Sequence, residues 1–211
     1  NNVGCVPPAA VVSNVTYNSA DIAWIPGYLE ESWNVEYKEA SASTWTVAAT
    51  ATSAEALTLT GLESSTNYIV RVTAICATEN ASVEVEFRTE CAPTLALPFF
   101  EGFEDYANSA QADCWISGSS SNNGYPQVST AYRHNGAKSY NMYVYNSGSA
   151  SPSANFTYYV SPRLESNIDV RSLYTNFYTY TSTYNTTSYP GTLMVGVMAD
   201  LDDFSTFVPI D

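Results

Sequence analysis

The run Gly61-Leu62-Glu63-Ser64-Ser65-Thr66-Asn67-Tyr68 leads directly into Ile69-Val70-Arg71-Val72-Thr73-Ala74-Ile75-Cys76, and this passage decides the fold. Successive side chains of a strand point to opposite faces, so Tyr68, Val70, Val72 and Ala74 share one face while Ile69, Arg71 and Thr73 share the other. The first face is a core face and the second stays wet. Outward from this strand, residues 11 to 89 divide into seven short apolar runs separated by polar turns, near 11–17, 20–25, 33–38, 44–49, 56–62, 68–76 and 83–89. That spacing predicts an all-β sandwich.

The chain as a whole has 211 residues, 45% hydrophobic and 13% charged, enough for two cores and too apolar for a disordered polymer. Twenty-one acidic residues against seven basic ones leave a formal charge of −14. The Lys/Arg stripe that neutralises phosphates is absent, so DNA and anionic membrane surfaces are poor candidate partners and no nucleic-acid partner is expected. No apolar run approaches the roughly 20 residues of a membrane span. Cys5, Cys76, Cys91 and Cys114 lie far apart with no CxxC pair, and His134 is the single histidine, which argues against a zinc site or a thioredoxin-like motif. An even cysteine count in a chain rich in Tyr, Thr, Ser and Asn reads as two disulfides formed in an oxidising compartment; four reduced thiols inside a cell are the other reading.

Trp24 in the second predicted strand, Trp33 opening the third, Tyr37, and the Leu62-to-Tyr68 stretch together resemble the fibronectin type III fold, whose Leu-x-x-x-Thr-x-Tyr pattern makes a tyrosine corner before the sixth strand. The resemblance covers residues 1–92 and departs from many members in having Ser64 where they carry proline. It implies that the chain start and the end of the sixth strand lie at one pole, which would pair Cys5 with Cys76 and leave Cys91 for Cys114. Each bridge would contribute about 3–4 kcal/mol through loop-closure entropy.

Beyond Cys91 the composition shifts. Only four of the seventeen tyrosines, Tyr17, Tyr28, Tyr37 and Tyr68, precede residue 93. Further strands are predicted near 126–131, 139–145, 156–160, 173–181, 192–198 and 205–208, and helix periodicity is nowhere sustained. Leu193, Val195 and Val197 alternate with Met194, Gly196 and Met198, so that strand is expected to be central and covered on both faces. The segments Leu97-Pro98-Phe99-Phe100-Glu101-Gly102-Phe103-Glu104, Cys114-Trp115, His134-Asn135-Gly136-Ala137-Lys138-Ser139 and Leu193 to Met198 resemble the cleaved-adhesin domains of bacterial haemagglutinins, which are related to MAM-type jelly rolls. Two features depart from that pattern: Gly102 replaces a frequent carboxylate, and the Asp/Gly-rich turn before the tryptophan is missing. The expected architecture is therefore an Ig-like fibronectin type III sandwich (1–92) followed by a jelly-roll β-sandwich (93–211), the latter incomplete at its C-terminus.

Three groups of residues are candidates for chemistry. Glu101, Glu104 and Asp105 offer oxygen ligands that, with carbonyls of the loop around Asn135 and Gly136, would suit a structural calcium ion. The jelly-roll resemblance carries that role onto Glu104 and Gly136; the plainer reading is three solvated carboxylates. Tyr174, Tyr178 and Tyr180 would share one strand face, and Tyr143 and Tyr145 another, with Asn141 and Asn176 between them. Such rings stack on sugars while amides bond hydroxyls, although tyrosine also fills half-buried sheet faces. Asp200, Asp202 and Asp203 form an acidic turn without the length or closing Glu of an EF-hand loop. Catalysis finds little support, since His134 has no Gly-x-Ser-x-Gly elbow for company and no phosphate-cradling glycine loop exists. The expectation is a non-catalytic, extracellular or bacterial cell-surface protein that binds a host or environmental glycan or protein. The alternative is an accessory region of a larger secreted hydrolase.

Overall fold

The computed structural model describes residues 4–120, 124–144, 155–181 and 192–210. The chain divides into two compact units, Asn1–Pro93 and Thr94–Asp211.

In the first unit, β1 (Ala9–Ser13), β2 (Ser19–Ile25) and β5 (Ala56–Thr60) form an antiparallel sheet in the order β1-β2-β5. The facing sheet runs β4-β3-β6-β7, from β3 (Ser32–Glu39), β4 (Thr46–Thr52), β6 (Asn67–Ile75) and β7 (Ala81–Arg88). The two-residue period decides which side chains fill the space between them. Ala20, Ile22 and Trp24 from β2 meet Trp33 and Val35 from β3 and Tyr68, Val70, Val72 and Ala74 from β6, all buried. The rings of Trp24 and Trp33 lie 6.1 Å apart at the centre of this core. Such a dry, interdigitated interior supplies most of the unit's stability.

The tyrosine corner forms as the Leu62-to-Tyr68 stretch predicts. Tyr68 Oη accepts the Glu63 amide at 2.9 Å. The turn needs left-handed backbone at Gly61 (φ 72°) and Ser65 (φ 54°), and Gly61 is why β5 ends at Thr60 rather than at residue 62. Buried Thr89 locks the corner from below: its hydroxyl accepts from the Thr66 amide at 2.9 Å and donates to Glu63 O at 2.7 Å. At the other end, β1 runs from residue 9 to 13 instead of 11 to 17, because Asn14 (φ 46°) breaks the extended chain and Thr16 folds back onto Ser19. Cys5 is bonded to Cys76 with Cα atoms 6.1 Å apart, tying the segment before β1 to the end of β6. Closing a loop of 71 residues contributes about 4 kcal/mol on the entropic account. Cys91 and Cys114 are disulfide-bonded as well.

The second unit is built from short pairs. β8 (Thr94–Leu95) runs parallel to β13 (Arg163–Leu164), β9 (Ile116–Ser119) antiparallel to β12 (Thr157–Val160), β10 (Gln127–Ser129) antiparallel to β11 (Ser139–Asn141), and β14 (Gly196–Val197) antiparallel to β15 (Val208–Pro209). Ala112 and Val128 are its fully buried apolar residues among those described. Around them lies an aromatic cluster: Trp115 stacks on Tyr159 at 4.3 Å, Tyr159 on Tyr140 at 4.0 Å, and Phe103 sits 5.3 Å from Tyr140. Burial pushes the Tyr159 phenol well above its ordinary range, and nearby Glu101 adds to the effect.

Three predicted strands are corrected here. Residues 173–181 form no strand; a 3-10 turn at Val170–Ser172, capped by Asp169, leads into chain that pairs with nothing among the described residues. Alternation without a neighbouring ladder leaves backbone groups for water to satisfy, and water does so at the surface. Of 192–198 only Gly196–Val197 is strand, and Leu193 and Met194 are exposed rather than covered. Residues 205–208 divide between a 3-10 turn, Phe204–Thr206, and β15. Tyr145, placed on a strand face beside Tyr143, lies outside the described residues.

Candidate functional site

The hairpin between β10 and β11 is a tight device. Ser129 Oγ accepts the Ala131 amide at 3.1 Å, Ser139 Oγ donates to Ala131 O at 2.9 Å, and Arg133 Nη1 donates to Thr130 O at 2.7 Å. Tyr132 takes a left-handed conformation, φ 54°, within it. The loop therefore thrusts Tyr132 and His134 outward, and two rings from the 173–181 segment stack on them. His134 and Tyr178 have centroids 3.6 Å apart and planes 7° from parallel; Tyr132 and Tyr180 are 4.7 Å apart at 12°.

Two i, i+2 pairs thus stand side by side. The four rings make two separate stacks, each pairing one ring of the hairpin loop with one of the 173–181 segment. Tyr132, Tyr178 and Tyr180 remain 63%, 70% and 65% exposed, and Tyr174 is 89% exposed. Rings this open to water, interleaved with the exposed side chains of Asn135, Asn176 and Thr179, present π faces next to hydrogen-bonding groups. Of the three candidate tyrosines, ring stacking brings Tyr178 and Tyr180 to one surface region, while Tyr174 makes no ring contact among the described residues. The sequence reading missed Tyr132 and His134. Their signal was available in the Tyr-Arg-His-Asn-Gly turn, where two aromatic residues alternate just as Tyr178 and Tyr180 do.

The proposed calcium ligands have a different geometry. Glu104 and Gly136 do come together: Gly136 is left-handed (φ 76°), and a Cβ there would run into Glu104 Oε1. Yet the groups facing the Glu104 carboxylate are amides. Ala137 N donates at 3.0 and 3.1 Å to its two oxygens and Lys138 N at 3.1 Å. Glu101 turns inward on its own loop, accepting from the Phe103 amide at 2.5 Å and from Tyr106 Oη at 3.1 Å. Burial and the Glu101 charge both push the Tyr106 phenol upward, so it stays protonated and keeps donating. Asp105 is exposed. No group of three or more His, Cys, Asp or Glu side chains suited to a metal occurs among the described residues. The Asp200–Asp203 turn caps its own 3-10 element: Asp203 accepts the Ser205 amide at 2.9 Å, and the Ser205 hydroxyl first, with that amide second, holds its carboxyl below the usual range.

On the wet face of the first unit, Arg71 lies 3.8 Å over the Trp45 ring with Lys38 at 5.1 Å. Glu36 and Glu84 flank the Arg71 Nε at 3.6 and 3.8 Å, ion-pair rather than hydrogen-bond distances. This is cross-strand charge pairing over an aromatic ring, a stabilising feature of a solvated sheet face.

Residues 6–88 match the fibronectin type III domain family. With the sheet pairing and tyrosine corner above, they are a fibronectin type III domain, a common binding or spacer module of extracellular proteins. No curated protein matches the chain. Among solved structures it is similar to a myokine (22% identity, TM-score 0.37, covering 41% of this chain and 99% of the other). It is also similar to a computationally redesigned β-sandwich protein (29%, 0.39, 42% and 98%) and to the fn3 domain of the human collagen alpha-1(XX) chain (21%, 0.39, 48% and 98%). No helix among the described residues is long and apolar enough to cross a membrane.

Proposed function

We propose that this chain is a non-catalytic binding protein of the cell exterior, in which the fibronectin type III domain is a spacer and the second unit carries a recognition surface for a glycan. The observation that carries this reading is the pair of exposed ring stacks, His134 with Tyr178 and Tyr132 with Tyr180. Buried aromatic stacks stabilise a core; these four rings are largely in water, where their free faces and the nearby amides suit the apolar face and hydroxyls of a sugar. The disulfides support an oxidising location. The jelly-roll reading of residues 93–211 draws support from the short, mostly antiparallel strand pairs and from the meeting of Glu104 with the Gly136 loop, while adhesion at a bacterial surface rests on the resemblance alone. His134 serves as a stacking platform in this reading and has no catalytic role.

Binding of the full chain to a glycan array tests it, with Tyr178→Ala/Tyr180→Ala as the control. Saturable binding to a glycan class, lost in the double variant, is the expected result; no binding, or binding unaffected by the substitutions, overturns the reading.

A further inference from the structure

A calcium ion asks for six to eight oxygens, and the turn at residues 103–106 together with the Gly136 loop is where the resemblance leads one to look for them. The Glu104 carboxylate and two carbonyls there already have partners. The Glu104 carboxylate accepts three bonds from the Ala137 and Lys138 amides, groups that present positive hydrogens and compete with a cation for the same lone pairs. Two main-chain oxygens of the same turn are taken by Lys138, whose Nζ donates to Glu104 O at 2.6 Å and to Tyr106 O at 2.5 Å. One residue thus grips the turn at both ends, its amide on the carboxylate and its ammonium on the carbonyls.

We propose that the Lys138 ammonium is the built-in cation of this junction, joining the 103–106 turn to the Gly136 loop in the place a divalent ion would otherwise occupy, so that the second unit is stable without metal. Chemistry favours the exchange. An ammonium carries three donors, enough to bridge two carbonyls that belong to one turn, and it arrives with the chain, so no binding equilibrium limits occupancy. Gly136 completes the arrangement, since only a residue without a side chain lets the following amides approach Glu104. The inference concerns stability and is independent of what the aromatic surface binds.

Thermal unfolding of the full chain, with excess EGTA or with millimolar calcium chloride, tests it together with Lys138→Met. The wild-type transitions should coincide in both buffers, and Lys138→Met should lower the melting temperature of the second unit by about 4 °C. A wild-type transition that falls in EGTA, or a Lys138→Met variant that melts like the wild type, would overturn the proposal. Should the variant fail to fold, calorimetric titration of calcium chloride into the wild-type chain still decides: absence of saturable heat agrees with a resident ammonium, and stoichiometric binding abolished by Glu104→Gln contradicts it.

Discussion

His134 and Tyr178 lie ring on ring, 3.6 Å between centroids and 7° from parallel, at the outer surface of the second unit. The contact joins a hairpin loop to a segment that lacks regular structure, so each holds the other's ring in orientation without either being buried. Stacking between rings this exposed adds little to the stability of a fold. Tyr178→Ala and Tyr180→Ala should therefore change the unfolding free energy by no more than about 0.5 kcal/mol each, the range of ordinary surface substitutions. Chemical denaturation of the two variants checks this, and a loss of several kcal/mol would mean that the rings belong to the core.

The first unit should behave in the opposite way. Ile22 is fully buried between the sheets, and Ile22→Ala removes three heavy atoms from a close-packed interior. The expected cost is about 2–5 kcal/mol, read as a lower urea midpoint with unchanged slope.

Tyr68 makes a prediction about pH. Burial, partly offset by the Glu63 amide, raises its phenol above the ordinary tyrosine range. The folded state therefore prefers the neutral phenol, and its contribution is complete below the unfolded pKa, near 10, and lost as pH climbs through the folded value. Stability of the fibronectin type III domain should decline above about pH 10. Tyr68→Phe should lose about 1 kcal/mol at neutral pH, because the Glu63 amide loses its acceptor, and should show less of the alkaline decline. Melting curves from pH 8 to 12 make the comparison.

Much of this was legible before any coordinates, and the reason differs between the units. In the first, alternation at Tyr68, Val70, Val72 and Ala74, two tryptophans and a tyrosine corner all ask for the same sandwich, so local pattern and long-range pairing agree. The errors there are at strand ends, where Asn14 and Gly61 adopt left-handed backbone that alternation does not encode. In the second unit residues 173–181 alternate as a strand should, yet period two requires only extended chain; a strand also requires a neighbour, which a single segment cannot reveal. The same limit applied to the acidic residues. The resemblance brought Glu104 to Gly136, but the directions of the Ala137 and Lys138 amides that meet the carboxylate are not written in the sequence.

The Cys5–Cys76 bridge closes a long loop in a domain that already has a full core. Cys5→Ser/Cys76→Ser should leave the fibronectin type III domain folded but about 2–4 kcal/mol less stable, measured by guanidinium unfolding under non-reducing conditions. An unchanged midpoint would show that the chain start contributes nothing through its tether.

The recognition surface itself is tested most directly by the glycan array. The full chain should bind a defined glycan class saturably, and Tyr178→Ala/Tyr180→Ala, folded as judged by an unaltered melting temperature, should not bind at all. Equal binding by the two proteins, or silence from the wild type across the whole array, would contradict the account.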